Sequence, residues 1–217
     1  MVFAGREVFQ CPQCSQMNYY TNYKITHLAC SKCNIAYSKS EDGFTWMKIT
    51  NNMPEDMSPL KVGAMGYIGD IKIDITGRIR YEFKEGYRNH WMAVNNANEF
   101  YWIVEAYGTY AWLKYSEVKI EPSKLLKFKP GSVFEISGKK HFHVNYISNI
   151  TGFFIEGEIA LPFQPVDDFI TLEMSNPWFE MVIVDAISRD KIFASTGKYQ
   201  EFDDFKFSNT RLLDEWI

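Results

Sequence analysis

The chain has 217 residues, of which 46% are hydrophobic, and its formal net charge is −4. That length suits one large or two small domains behind a short module. Residues 51–217 hold 18 basic and 24 acidic side chains, and such an acidic balance disfavours binding to the phosphate backbone of nucleic acids. The chain lacks a run of ~20 apolar residues that could span a membrane, and its N-terminus lacks the pattern of a signal peptide. These features predict a cytoplasmic protein.

Four cysteines form two Cys-x-x-Cys pairs that are separated by fifteen residues. The positions are Cys11, Cys14, Cys30 and Cys33. Each pair turns tightly enough to aim two sulfurs at one ion, so the spacing predicts a structural zinc site in a zinc ribbon over residues 1–50. Four thiolates leave no open coordination position for catalysis. Redox dithiols, a disulfide framework and an iron centre are the alternatives.

The rest of the ribbon indicates what it does not bind. Residues 15–29 contain one Lys and three Tyr, fewer cations than a nucleic-acid-binding ribbon normally shows. Binding of nucleic acid through the ribbon is therefore a minor alternative. His27 lies close to the second cysteine pair, and with four cysteines available we expect it to be a surface residue rather than a ligand.

Behind the ribbon, the pattern predicts an all-β body. Residues 51–59 are polar with two prolines and are interpreted as a linker. Alternating apolar residues then predict strands near 71–76 and 79–84. Leu60–Gly63 and Phe128–Gly131 open two similar halves, which suggests duplication. We therefore expect a first β domain over 60–121 and a second over 122–217, both small antiparallel meanders or barrel-like domains.

One hairpin is predicted in the second half. Residues 140–148 and 153–161 flank a turn-like segment at 149–152, and pairing Ser148 with Phe153 sorts apolar from polar side chains. The polar face of this hairpin would carry His141, His143, Glu156 and Glu158. A metal-dependent enzyme or small-ligand receptor using this face is an alternative function. The simpler interpretation is a solvated face with a cross-strand His–Glu pair.

Other candidate chemistry is sparse. Arg78 and Arg80 could clamp an anion, but an arginine beside carboxylates is more often a structural ion pair. The sequence contains no nucleophile elbow, P-loop or dinucleotide fingerprint. We therefore identify no catalytic residue, and the pattern favours a non-enzymatic protein. Aromatic residues make up 17% of the chain, and such an excess often marks a protein-binding surface.

Several short motifs, in this order, carry a resemblance to a known family. They are Leu60–Gly63, Thr76–Tyr81, Asn89–Trp91, Glu105–Gly108, Gly157–Phe163, Gly197–Asp203 and Leu212–Trp216. The chain resembles the bacterial family called domain of unknown function 4178, in which a zinc ribbon precedes one or two small β-rich domains.

The resemblance implies no established activity. It does imply an association with membrane-stress and membrane-scaffold systems. Together with the absence of catalytic motifs, it predicts a zinc-ribbon adaptor or binding module that contacts another protein, with peripheral membrane association left open.

Overall fold

The computed structural model describes residues 7–20, 24–47, 52–116, 125, 127–136, 140–166, 168–188 and 191–212. The strands of this part of the chain are β1 (Glu7–Gln10), β2 (Met17–Tyr20), β3 (His27–Ala29), β4 (Ala36–Ser40), β5 (Gly43–Trp46), β6 (Met65–Ile68), β7 (Ile71–Phe83), β8 (Gly86–Asn95), β9 (Phe100–Ala106), β10 (Thr109–Ser116), β11 (Val133–Ile136), β12 (Lys140–Ile159), β13 (Phe169–Ser175), β14 (Glu180–Ser188) and β15 (Lys191–Gln200). A 3-10 helix, Phe202–Phe205, follows β15. The predicted all-β class is confirmed.

Eight strands close an antiparallel barrel. Their order around the ring is β7, β8, β9, β10, β15, β14, β13 and β12, and β12 pairs back onto β7. Because side chains alternate across a strand, every second residue points into the barrel. The interior is filled by apolar side chains such as Ile79, Met92 and Ile183, none more than 1% exposed.

The two halves of the barrel have the same plan, in which a short strand precedes a four-strand meander. A backbone hydrogen bond in the first half has a counterpart in the second half. Gly63 N–H donates to Ile75 O at 2.8 Å, and Gly131 N–H donates to Val144 O at 2.7 Å. A register shift follows in both strands, after Ile75 and after Val144. The strands predicted to form two separate domains thus share one closed barrel.

Strand β12 shows where the predicted hairpin is wrong. It runs for 20 residues without a turn, pairing first with β13 and then with β7. Ser148 lies opposite Thr171, and Phe153 lies opposite Tyr81. Ile150 is the point of transfer, because it pairs on both sides and is fully buried. The turn-like composition of 149–152 is overridden by this burial.

The module that carries the cysteines, β1 to β5, joins the barrel through one strand pair. Leu28 and His27 in β3 pair with Glu158 and Ile159 at the end of β12. Ala29 and Ala36 of the module are buried against the barrel core. The module therefore lies at the end of the barrel where β12 ends, at Ile159.

The segment interpreted as a linker is packed against the barrel where the structure describes it, from residue 52 onward. The Asp56 side chain has no exposed surface, and Ser58 is 4% exposed. Buried polar groups of this kind require partners. Those partners are Arg78 on β7, Asn89 on β8, Glu105 on β9, and Arg211, which follows the 3-10 helix.

Candidate metal centre

Each cysteine pair lies on a tight turn, and the two turns have the same geometry. Ser15 N–H donates to Cys11 O at 2.8 Å, and Asn34 N–H donates to Cys30 O at 2.9 Å. Ser15 and Asn34 both have left-handed backbones, with φ of 59° and 58°. Short polar residues tolerate this conformation better than most side chains do. Both turns consequently aim two sulfurs toward one point.

The four sulfurs lie at the spacing of a single metal site. Cys11 Sγ and Cys33 Sγ are 3.7 Å apart, and Cys14 Sγ and Cys30 Sγ are 3.6 Å apart. All four sulfurs lie within 4.8 Å of one another. A tetrahedral ion with metal–sulfur bonds of ~2.3 Å requires edges of about 3.8 Å. The four predicted cysteines therefore form a cluster that can hold a metal ion.

Neighbouring donors support the thiolate form that metals bind. The Tyr37 hydroxyl lies 3.2 Å from Cys11 Sγ, and Asn18 Nδ2 donates to Cys30 Sγ at 3.6 Å. Burial acts to raise the pKa of Cys11, but the Tyr37 hydrogen bond and backbone N–H groups lower this pKa to about 6. A thiolate is the nucleophile and ligand form of cysteine.

The raised pKa of Cys33 indicates why a cation would stabilise the cluster. Burial, together with hydrogen bonds to the other three cysteines, raises the pKa of Cys33 to about 12. Four thiolates this close repel one another, so a bare cluster holds protons. A divalent ion at the centre would replace those protons and offset the repulsion.

His27 is not the surface residue that its sequence position suggested. Its side chain is fully buried, with Nδ1 2.8 Å from Thr26 Oγ1 and Nε2 3.1 Å from Gln164 Oε1. Burial lowers the pKa of His27. Because both ring nitrogens have partners outside the cysteine cluster, His27 braces the module against the barrel and does not act as a ligand.

The second polar site predicted from the sequence is not assembled. His141 lies opposite Glu135 and His143 opposite Val133, whereas Glu156 pairs with Arg78 and Glu158 with Leu28. Thirteen positions separate the nearest His and Glu along one strand, a contour of ~40 Å. The histidines and the glutamates stay apart because β12 has no turn between them.

Arg78 and Arg80 belong to a buried ion-pair cluster whose central carboxylate, Asp56, was not predicted from the sequence. Asp56 accepts from Arg78, from Arg211 at 2.9 Å, and lies 3.7 Å from Arg80. Arg78 also pairs with Glu156 at 2.8 Å. The structural ion pair predicted for Arg78 and Arg80 is confirmed. The role of Asp56 was missed because it lies in a segment whose composition is typical of a linker.

A second buried carboxylate fixes the same segment. Glu105 accepts hydrogen bonds from Ser58 Oγ at 2.7 Å, Trp91 Nε1 at 2.8 Å, Asn89 Nδ2 at 3.1 Å and Tyr110 Oη at 3.1 Å. Two of the short motifs noted in the sequence, Asn89–Trp91 and Glu105–Gly108, supply Asn89, Trp91 and Glu105 to this network. Their role in this structure is to hold residues 56–58 on the barrel.

The barrel interior contains a polar chain of its own. Arg88 Nε donates to His90 Nε2 at 2.8 Å, and Arg88 Nη2 donates to Thr171 Oγ1 at 3.0 Å. Thr171 Oγ1 in turn donates to Asp185 Oδ1 at 2.8 Å. Burial, and then the positive charge of Arg88, hold the pKa of His90 well below its usual value. His90 is therefore neutral and accepts a hydrogen bond.

Neutral His90 makes stability dependent on pH. The unfolded chain takes up a proton at His90 near pH 6.5 but the folded barrel does not, so stability falls as pH drops below that value. We expect the free energy of unfolding to fall by about 1 kcal/mol between pH 7.5 and pH 5.5 because of this group, measured by urea unfolding. A His90→Gln variant should lose this part of the pH dependence, whereas His143→Gln, at an exposed position, should retain it. Identical pH profiles for all three proteins would contradict the assignment.

Comparison of the chain with protein-family models, curated proteins and solved structures found no match. The resemblance stated from the sequence motifs therefore stays a prediction. Within the described residues, no helix has the length and apolar character needed to cross a bilayer.

Proposed function

We propose that the four-cysteine cluster holds one structural Zn²⁺ and that β1 to β5 form a zinc ribbon. The support is the all-sulfur, closed donor set and the tetrahedral spacing of the sulfurs. We also propose a cytoplasmic location, because all four cysteines of the chain belong to this cluster and none is left over for a disulfide.

The protein's function, in this proposal, is that of a non-enzymatic adaptor that binds another protein. One observation carries it: a rigid turn between β13 and β14 exposes two aromatic rings. Trp178 is 70% exposed and Phe179 is 71% exposed. Large aromatic side chains are the commonest anchors of protein interfaces.

The turn is held in shape before any partner arrives. Asn176 Oδ1 accepts from Trp178 N–H at 3.0 Å and from Glu180 N–H at 3.1 Å. Phe179 has a left-handed backbone, with φ of 61°, and its carbonyl accepts from Tyr199 N–H at 2.9 Å. This conformation costs a bulky residue ~1–2 kcal/mol. Strain of this kind, retained at an exposed site, supports a binding role.

The test uses the zinc-loaded full chain as bait in an extract of its source organism. A partner should be enriched by the wild type and lost with the double variant Trp178→Ser, Phe179→Ser. We expect a loss of at least about tenfold, since interface aromatics contribute ~2 kcal/mol or more each. Leu212→Ser is the matched control, because Leu212 is 88% exposed and lies elsewhere in the chain. Equal recovery by all three proteins would exclude the turn as the interface.

Two further measurements separate the alternatives. Sedimentation with anionic vesicles tests peripheral membrane association, which the resemblance to a membrane-stress-associated family implies. If vesicles bind the wild type but not the double variant, the turn binds a lipid surface and not a protein. Salt-dependent gel shifts test nucleic-acid binding. We expect no binding, because the chain carries more acidic than basic side chains.

A further inference from the structure

The barrel has a plugged end and an open end. At the plugged end, Leu161 and Phe163 are 6% and 9% exposed and pack into the interior core, with the Phe163 ring 4.7 Å from that of Phe193. At the open end, a cavity of about 570 Å³ extends into the barrel. Ligand sites commonly occupy ~300–1,000 Å³, often in the mouths of β-barrels.

The floor of this cavity presents a carboxylate. Glu173 Oε1 accepts from Tyr199 Oη at 3.2 Å, and Glu173 Oε2 lies 3.6 Å from Arg88 Nη1, longer than a good hydrogen bond. The Glu173 side chain is 17% exposed, whereas that of Arg88 is 5% exposed. Both side chains line the cavity, but the guanidinium donates to His90 and Thr171, so Glu173 is the more accessible member of the pair. Glu85 adds a second carboxylate to the lining.

Aromatic rings form the walls and rim. Phe83, Tyr107 and Tyr146 line the cavity, and the two tyrosines are 75% and 66% exposed. Tyr107 has a left-handed backbone, with φ of 51°, and its hydroxyl donates to Glu85 O at 3.2 Å. A bulky residue pays for this conformation, and here the hydroxyl contact holds its ring beside the open mouth.

We propose that the open end of the barrel binds a small organic cation, with an ammonium group directed at Glu173 and an apolar body against the aromatic walls. Aromatic faces attract ammonium groups through the ring quadrupole, most strongly where water is excluded. Two lining carboxylates against one committed guanidinium disfavour an anion. The site is independent of the proposed protein interface, because Trp178 and Phe179 are not among the residues that line the cavity.

Isothermal titration calorimetry of the zinc-loaded full chain tests this site with three probes that share a phenyl ring and differ in the charge of the head group. Benzyltrimethylammonium should bind saturably at one site per chain, and benzoate and benzyl alcohol should bind at least about tenfold more weakly. Glu173→Gln keeps the side-chain volume and should weaken benzyltrimethylammonium about tenfold. Glu41→Gln, an exposed change in the β4–β5 turn, is the matched control and should leave affinity unchanged.

Two rim variants keep the test decisive if Glu173→Gln fails to fold. Glu85→Gln and Tyr146→Leu alter exposed positions, and each should weaken benzyltrimethylammonium severalfold through lost charge or lost ring. The assignment is overturned if benzyltrimethylammonium shows no saturable binding up to ~10 mM, where even a Kd near 1 mM would be detected. It is also overturned if benzoate binds as well as the cation, or if every folded variant binds like the wild type.

Discussion

Removal of the zinc ion that we propose for the four-cysteine cluster is expected to unfold the module formed by β1 to β5. Among the described residues, the module's own two apolar clusters bury few side chains: Cys11, Cys30 and Tyr37 around the cysteines, and Tyr20, Ile25 and Leu28 beside them. A core of that size cannot offset the entropy of ordering the chain. A structural zinc ion contributes ~10–16 kcal/mol to the folding of comparable modules. We therefore expect the proposed zinc ion to decide whether this module folds.

The effect should reach the barrel but not destroy it. Because β3 pairs with β12, and because Ala29 and Ala36 pack into the barrel core, loss of the module exposes one end of that core. We expect the barrel to stay folded with a melting temperature several degrees lower, since ~1 kcal/mol corresponds to about 2–4 °C at this chain length. Amide resonances of the module should collapse on chelation, while those of the barrel remain dispersed.

Variants and metal analysis make this test specific. The wild type should carry one zinc per chain, and Cys30→Ser should lose it together with the module's resonances. Lys32→Ser, an exposed change within the same turn, should retain both. Cobalt substitution should give the absorption of a tetrahedral all-sulfur site. Two metals per chain would reopen the idea of a second site, and an unchanged module after chelation would show that the metal is dispensable.

The parts of the structure that could be predicted from the sequence are those decided by near neighbours. Each cysteine pair spans four residues, so its spacing already dictates the turn and the direction of the sulfurs. The strand character of β7 follows from alternation within the strand itself. The equivalence of the Gly63 and Gly131 segments was visible as well, because each glycine enables one local turn with a positive φ.

What could not be predicted depends on partners that are distant in the sequence. The 149–152 segment has the composition of a turn, yet Ile150 is buried between β13 and β7 and the strand continues. Burying this side chain is worth ~2 kcal/mol or more, which exceeds a local turn preference. Closure of the eight-strand ring is likewise a long-range property that composition does not encode.

The largest effect of a single charge is expected at Asp56. Its side chain is fully buried among Arg78, Arg80 and Arg211, of which the first two are 3% and 6% exposed. Removing one member of a buried ion-pair cluster leaves charge without compensation and typically costs ~3–5 kcal/mol. Asp56→Asn should therefore lower the melting temperature by about 10 °C. Glu55→Gln, at the exposed neighbouring position, should change stability by less than ~0.5 kcal/mol.

A double-mutant cycle shows whether charge is the cause. Arg211 is 27% exposed and is the most accessible of the three arginines. If uncompensated arginine charge destabilises Asp56→Asn, removing Arg211 should cost less stability in that variant than in the wild type. We expect a coupling of ~1–3 kcal/mol between Asp56→Asn and Arg211→Met, measured by urea unfolding. Zero coupling, or a cost of Asp56→Asn below ~1 kcal/mol, would mean that the more exposed Glu156 and Glu82 neutralise the arginines by themselves. Residues 52–59 would then be held on the barrel by hydrogen bonds such as those from Ser58 to Glu105, from Arg80 to Pro54 O and from Arg211 N–H to Pro59 O.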